Sequence, residues 1–198
     1  WNVNIMFTRV NIDPAQEGMM DTGSRTRQVI LTGMFAAVLA VMAQLSIPMP
    51  SGVPVTLQTF AVALTAYVLG PKTGLAAAVI YILLGAVGVP VFAGFKGGIG
   101  VLLGPTGGFI WGFLLMILLC GSGAKSRHIL LTAAASVFGL AGCHLPGILQ
   151  FMFLTGRGFA GAAMLVSVPY LIKDVISVAA AFALAKAVKR GIRAAGSL

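Results

Sequence analysis

Long apolar runs, broken only by short basic clusters, leave this chain almost no charge with which to face water. Of its 198 residues, 59% are hydrophobic and 9% charged, and the mean hydropathy is +1.02. Soluble domains are about a quarter charged. A water-facing globular surface is therefore excluded, and lipid is the solvent that fits. Six spans of ~20 residues with short connections use nearly all of the length as one domain.

The expected fold is an all-α membrane protein, a six-transmembrane-helix bundle with both termini cytoplasmic. The spans run from about Gln28 to Ile47, Val55 to Leu69, Gly74 to Val89, Phe109 to Cys120, His128 to Cys143, and Ala163 to Val188. Pro48, Pro50, Gly52 and Pro54 make the first loop, and Gly70-Pro71-Lys72 the second. A glycine-rich stretch, Val91 to Gly108, follows the third span, and a polar break, Gly121 to Arg127, follows the fourth. The connector Leu145 to Gly161 is apolar enough to lie in the membrane interface or form a short helix. The second and fourth spans are short for ~30 Å of hydrocarbon and need tilt, thinning or extension. The glycine-rich stretch can dip into the membrane only where protein or a water-filled cavity surrounds it.

Net charge is +9, but the cations are scattered and form no continuous basic face, which argues against nucleic acid. They set orientation instead. Arg9, Arg25, Arg27, Lys72, Lys125, Arg127, Lys186, Lys189, Arg190 and Arg193 fall on one side, with only Lys96 and Arg157 on the other. Basic loops face the cytoplasm, which places both termini there. Residues 1–24 hold Asp13, Glu17 and Asp21, three of the four acids, and read as an N-terminal cytoplasmic tail, disordered or foreign to the mature protein. Residues 25–198 form the six-helix membrane domain. Cys120 and Cys143 lie in apolar runs as small core residues. No metal-ligand spacing and no nucleophile–base arrangement is visible. His128 and His144 are expected at opposite ends of the fifth span.

Asp174 carries the most weight, as the only acid after Asp21 and one that lies inside the sixth apolar run. An ionised carboxylate there costs several kcal/mol unless partnered, so such residues default to function. A pair with adjacent Lys173 is disfavoured, because neighbours on a helix point about 100° apart. Lys173 is expected to snorkel to the outer interface or to meet a ligand. Tyr170, Asp174 and Ser177 share one helix face and offer an acceptor and hydroxyls along one wall. Gln58, near the outer end of the second span, serves either a ligand or a helix–helix hydrogen bond. Gly97 and Gly98 let backbone approach a ligand or a neighbouring helix. Lys96 adds an outer cation, and Phe92 and Phe95 add aromatic walls. Gly33/Ala37 and Ala36/Ala40 have the spacing for close helix approach.

Three segments, IPMPSGVPVTLQTF, VFAGFKGGIGVLLGPTGGFIWGF and VPYLIKDVISVAAA, occur in that order. They resemble the biotin-specific S component (BioY family) of energy-coupling factor (ECF) vitamin transporters, over about Thr26 to Val188. The resemblance implies a subunit of the prokaryotic cytoplasmic membrane that takes up biotin from outside. Its partners are then a transmembrane coupling subunit and two cytoplasmic ATPase subunits. It also implies docking through the alanine-rich first helix, on Ala36 and Ala40 with Gly33 and Ala37. Asp174 matches the family's sixth-helix acid, which meets the biotin ring system. The family pattern there is Pro-Gly-Asp with Lys three residues later, whereas this chain has Ile172-Lys173-Asp174 and Ser177. Either Lys173 substitutes from a neighbouring direction or the site does without that lysine. The substrate-binding set is then Asp174, Lys173, Gln58, Tyr170, Ser177, Phe92, Lys96, Gly97 and Gly98, with Lys96 or Arg157 for the carboxylate tail. No cofactor, metal or ATP site is expected, and the chain is not expected to be an enzyme. Three other readings stay open: an S component for a different vitamin, a self-contained channel or transporter, and an intramembrane enzyme.

Overall fold

A computed structural model describes residues 14–195, with side chains over 25–191. In chain order the elements are α1 (Pro14–Gln44), β1 (Ser46–Ile47), β2 (Val55–Thr56), α2 (Gln58–Ala86), α3 (Ile99–Leu103), α4 (Gly107–Gly123), α5 (Ile129–Thr155), α6 (Phe159–Val166) and α7 (Val168–Ala195). Of the expected tail, residues 1–13 lie outside this description and α1 takes in the rest.

The bundle is apolar outside as well as inside. Leu130, Phe153 and Ile172 are 80%, 79% and 77% exposed on helix surfaces. Water does not tolerate a continuous surface of this kind, whereas lipid does. Among the described residues, Arg25–Gln44, Gln58–Ala86 and Ile129–Thr155 are long and apolar enough to cross a membrane. At 17 residues, α4 is shorter. Although it has 28 residues, α7 carries Lys173 and Asp174 within it.

The second and third expected spans are the two arms of α2, which reverse direction at Gly70, so that Gln58 on one arm bonds Tyr81 on the other at 2.8 Å. Gly70 takes φ 77° and ψ −178° inside α2, directly before Pro71. Proline disfavours helical backbone in the residue before it, and glycine accepts a positive φ without strain. The fifth span, expected to stop at Cys143, runs on through Pro146 to Thr155. Proline breaks helices readily in water, but in lipid an unravelled backbone has nowhere to place its hydrogen bonds. The helix stops instead at Gly156, in the left-handed conformation with φ 67°, whose N–H donates to the Met152 carbonyl at 2.9 Å. The stretch read as a connector is therefore mostly helix. The expected sixth span is divided at Ser167 into α6 and α7.

In the middle of the bundle, α4 packs against both α2 and α5, while α1 and α7 flank α2. Glycine makes the α4–α5 approach possible. A Cβ on Gly112 would stand 2.6 Å from the Cys143 carbonyl oxygen, and one on Gly108 would stand closer still to that of Pro146. Leu39, Val62, Tyr67, Tyr81, Met116 and Ile117 fill the centre. Both cysteines are buried and free, as expected of core residues.

Two glutamines fix the segments that cover one end of the bundle. At the end of α1, Gln44 accepts from the Phe95 N–H at 2.9 Å and donates to the Val91 and Phe92 carbonyls at 3.2 Å. This pins the first part of the glycine-rich stretch, where Phe92 and Lys96 bridge. From α5, Gln150 donates to the Leu102 and Gly104 carbonyls at 2.9 and 2.7 Å, satisfying the end of α3.

Candidate functional site

A cavity of about 240 Å³ lies where the β1–β2 hairpin, the glycine-rich stretch and the α6–α7 junction meet. Its apolar wall is aromatic: Phe92, Phe109 and Phe113, with Ile110. Phe92 is fixed edge-on to Tyr81 (5.5 Å between centroids), and Phe109 edge-on to His144 (5.8 Å). Its polar wall holds Thr56, Thr59, His144, Tyr170, Lys173 and Asp174, and Lys96 joins from the exposed segment.

Asp174 is only 3% exposed and is not alone. Its Oδ2 lies 3.2 Å from His144 Nε2, and His144 Nδ1 lies 2.9 Å from Ser167 Oγ. Its Oδ1 lies 2.5 Å from Lys173 Nζ, which also donates to the Thr56 carbonyl at 2.8 Å. The lysine thus neither snorkels away nor leaves its neighbour alone, contrary to the expectation from helical spacing. Its four-carbon stem curls back over the helix, and the low polarity favours the pair. Oδ1 is thus held by the Lys173 ion pair and Oδ2 by His144. Position follows from α7, which begins at Val168; six residues at 1.5 Å put Asp174 roughly 9 Å into the helix.

His144 was missed by the sequence reading, which placed it at a helix end. It sits in the middle of α5, 6% exposed, whereas His128 caps the distant start of that helix. Serine, histidine and aspartate therefore do line up here, contrary to the expectation that no such arrangement exists. Ser167, however, is buried and is not part of the cavity wall. A nucleophile must reach its substrate, so this geometry orients Asp174 and provides no attacking hydroxyl.

The other expected residues divide. Gln58 is at the wall, yet its amide donates to Tyr81 Oη at 2.8 Å and accepts from Thr56 Oγ1 at 3.2 Å. Tyr170 is at the wall and donates to the Val53 carbonyl at 2.6 Å, so with Lys173 it ties the hairpin loop to α7. Ser177 is buried away from the cavity. Gly97 and Gly98 also lie off the wall. A Cβ on Gly97 would stand 2.6 Å from the Val89 carbonyl oxygen, and the Gly98 N–H donates to Gly85 at 2.7 Å. These two glycines let the loop lie against the end of α2, while Gly100 and Gly104 are the glycines at the wall. Phe95 and Arg157 are exposed and off the wall. Among the described residues no group of three potential metal ligands occurs.

A buried carboxylate beside an aromatic slot suits a compact ring bearing N–H groups. Comparison with known proteins bears on which. The BioY family model matches residues 15–194. The chain belongs to the BioY family. A protein from Thermotoga maritima named biotin transporter BioY is 41% identical over 165 residues, covering 83% of this chain and 96% of that one. A probable biotin transporter BioY from Pyrococcus horikoshii is 40% identical over 164 residues, covering 82% and 96%. The fold is also that of a crystallised S-component for biotin from an ECF-type ABC transporter. The TM-score is 0.75 at 22% identity, over 85% of this chain and 93% of that one. In this chain Lys173 and His144 hold the two carboxylate oxygens of Asp174 from different sides.

Proposed function

We propose that this chain is the substrate-capture subunit of an ECF-type transporter and that its cavity binds biotin. The observation that carries the reading is the Asp174 carboxylate, steadied by Lys173 and His144, at the wall of an aromatic cavity. Biotin offers two ureido N–H donors, an apolar bicycle and a carboxylate tail. The ureido group donates to Asp174, the bicycle packs against Phe92, Phe109 and Phe113, and the tail turns toward Lys96 at the rim. Burial of the ring supplies apolar contact, and the charge-assisted hydrogen bond supplies orientation.

In this reading the protein crosses the cytoplasmic membrane six times, through α1, the two halves of α2, α4, α5 and α7, with both termini cytoplasmic. The charge pattern supports it: Arg127, Lys186 and Lys189 gather at the end of the bundle away from the cavity. The glycine-rich stretch is part of the site and its gate. Energy comes from two ATPase subunits acting through a transmembrane coupling subunit, and it is the coupling subunit that docks on α1. The exposed small residues there are Gly33 and Ala37, with Ala40 half-buried beside them. Ala36 is only 4% exposed and packs into this chain's own core, so it drops out of the docking face.

Calorimetry on the purified protein tests the reading. Biotin should bind one to one, with no displacement by excess thiamine or riboflavin. Absence of biotin binding, or equal binding of another vitamin, would overturn it.

A further inference from the structure

A second cavity, also of about 240 Å³, opens at the other end of the bundle. It lies twelve residues along α7 from Asp174, roughly 18 Å at 1.5 Å per residue. The start of α5, the middle of α2 and the end of α7 surround it, so no part of its wall is shared with the aromatic cavity.

Three cations from two separate segments meet there: Arg127 from the α4–α5 connection, and Lys186 and Lys189 one turn apart on α7. Lys186 Nζ stands 4.5 Å over the Phe182 ring, which fixes the direction of its stem. Among the described side chains Asp174 is the sole acid, and it is spent at the other end. The cations therefore gather without a described carboxylate to neutralise them. Ser126 and Ile129 complete that side, and His128 gives the first turn of α5 no side-chain cap, so its N–H groups add to the positive field. Orientation of a membrane protein asks only that cations lie on one side. It does not ask that they line a common recess, and basic recesses between membrane helices suit anionic headgroups.

We propose that this recess is a binding site for a phosphate group, with Arg127 as the forked donor and Lys186 and Lys189 as point charges. Arginine matches phosphate oxygens two at a time, and lysine adds charge without fixing geometry. Binding does not depend on what fills the aromatic cavity; only assignment to the cytoplasmic leaflet rests on the orientation read above.

The test uses the full chain in a non-ionic detergent at fixed ionic strength. Its melting is followed against dihexanoyl phosphatidylglycerol, dihexanoyl phosphatidylcholine and inorganic phosphate. Saturable stabilisation by the glycerol lipid alone assigns a lipid headgroup, and saturable stabilisation by phosphate as well assigns a free phosphate. The Arg127→Gln/Lys186→Gln variant should weaken the effective probe about tenfold or more, as charge-assisted contacts are lost. The Lys72→Gln/Lys125→Gln variant removes the same charge outside the recess and should leave binding within about twofold. The melting temperature without added probe and a single monodisperse elution peak report whether each variant is folded. If the first pair does not fold, Lys189→Gln is compared with Lys125→Gln. No saturable binding, no preference over phosphatidylcholine, or equal weakening by the two pairs would overturn the site.

Discussion

Replacing His144 with phenylalanine isolates the part of the site that the sequence concealed. The ring stays, and so does its edge-on contact with Phe109. What is lost is the imidazole between Ser167 Oγ at 2.9 Å and Asp174 Oδ2 at 3.2 Å. A buried carboxylate oxygen and a buried hydroxyl then lack their partner. Membrane helix hydrogen bonds average about 0.6 kcal/mol, but a contact to a charged group is worth about 1.5–3. The carboxylate therefore dominates, and the total is about 2–4 kcal/mol of apo stability. The assay is detergent unfolding of ligand-free protein. Ser167→Ala supplies a second prediction in the same assay. In wild type it removes a partner and destabilises; in the His144→Phe background it removes an orphaned hydroxyl and should recover about 0.5–1 kcal/mol. A His144→Phe protein within about 0.5 kcal/mol of wild type would refute the reasoning, as would equal effects of Ser167→Ala in both backgrounds.

Gly108→Val should cost several kcal/mol, because its side chain meets the Pro146 backbone; an unchanged melting temperature would show that α4 and α5 are not so close. Ala36→Trp should lower the apo melt, whereas Ala37→Trp should keep both melt and biotin affinity and lose uptake. If the two behave alike, α1 does not present one face to its own core and another to a partner. For topology, cysteines at Ser51 and Gly158 should label from outside intact cells and one at Ser122 only from inside. External labelling of Ser122 contradicts the six-span reading.

The fold was legible where physics acts locally. Apolar runs located the long helices, and Gly70-Pro71 located the reversal between the two arms of α2. The end of α5 was not legible: the span was expected to stop near Cys143, whereas in lipid the helix carries on through Pro146 to Thr155. Asp174 stood out by charge alone, and its position in α7 followed from counting residues. Its partners did not stand out. The Lys173–Asp174 pair was disfavoured by a spacing rule that treats side chains as short, and His144 was placed at a helix end that does not exist. A histidine within an apolar run was the available signal. Burial of Ala36 but not Ala37 depends on how α1 is rotated against α2, which a run of small residues does not encode.

The central claim is that the Asp174 carboxylate receives the ureido N–H groups of biotin, and Asp174→Asn tests it most directly. Asparagine keeps the shape but can set N–H against N–H. Biotin affinity measured by calorimetry should fall at least about tenfold, or ~1.4 kcal/mol. Insertion and fold should survive, since a buried charge is removed. Equal affinity in the two proteins would contradict the account. So would collapse of the apo mutant, which would make the acid a structural partner of Lys173 and His144 and not the receptor for the ligand.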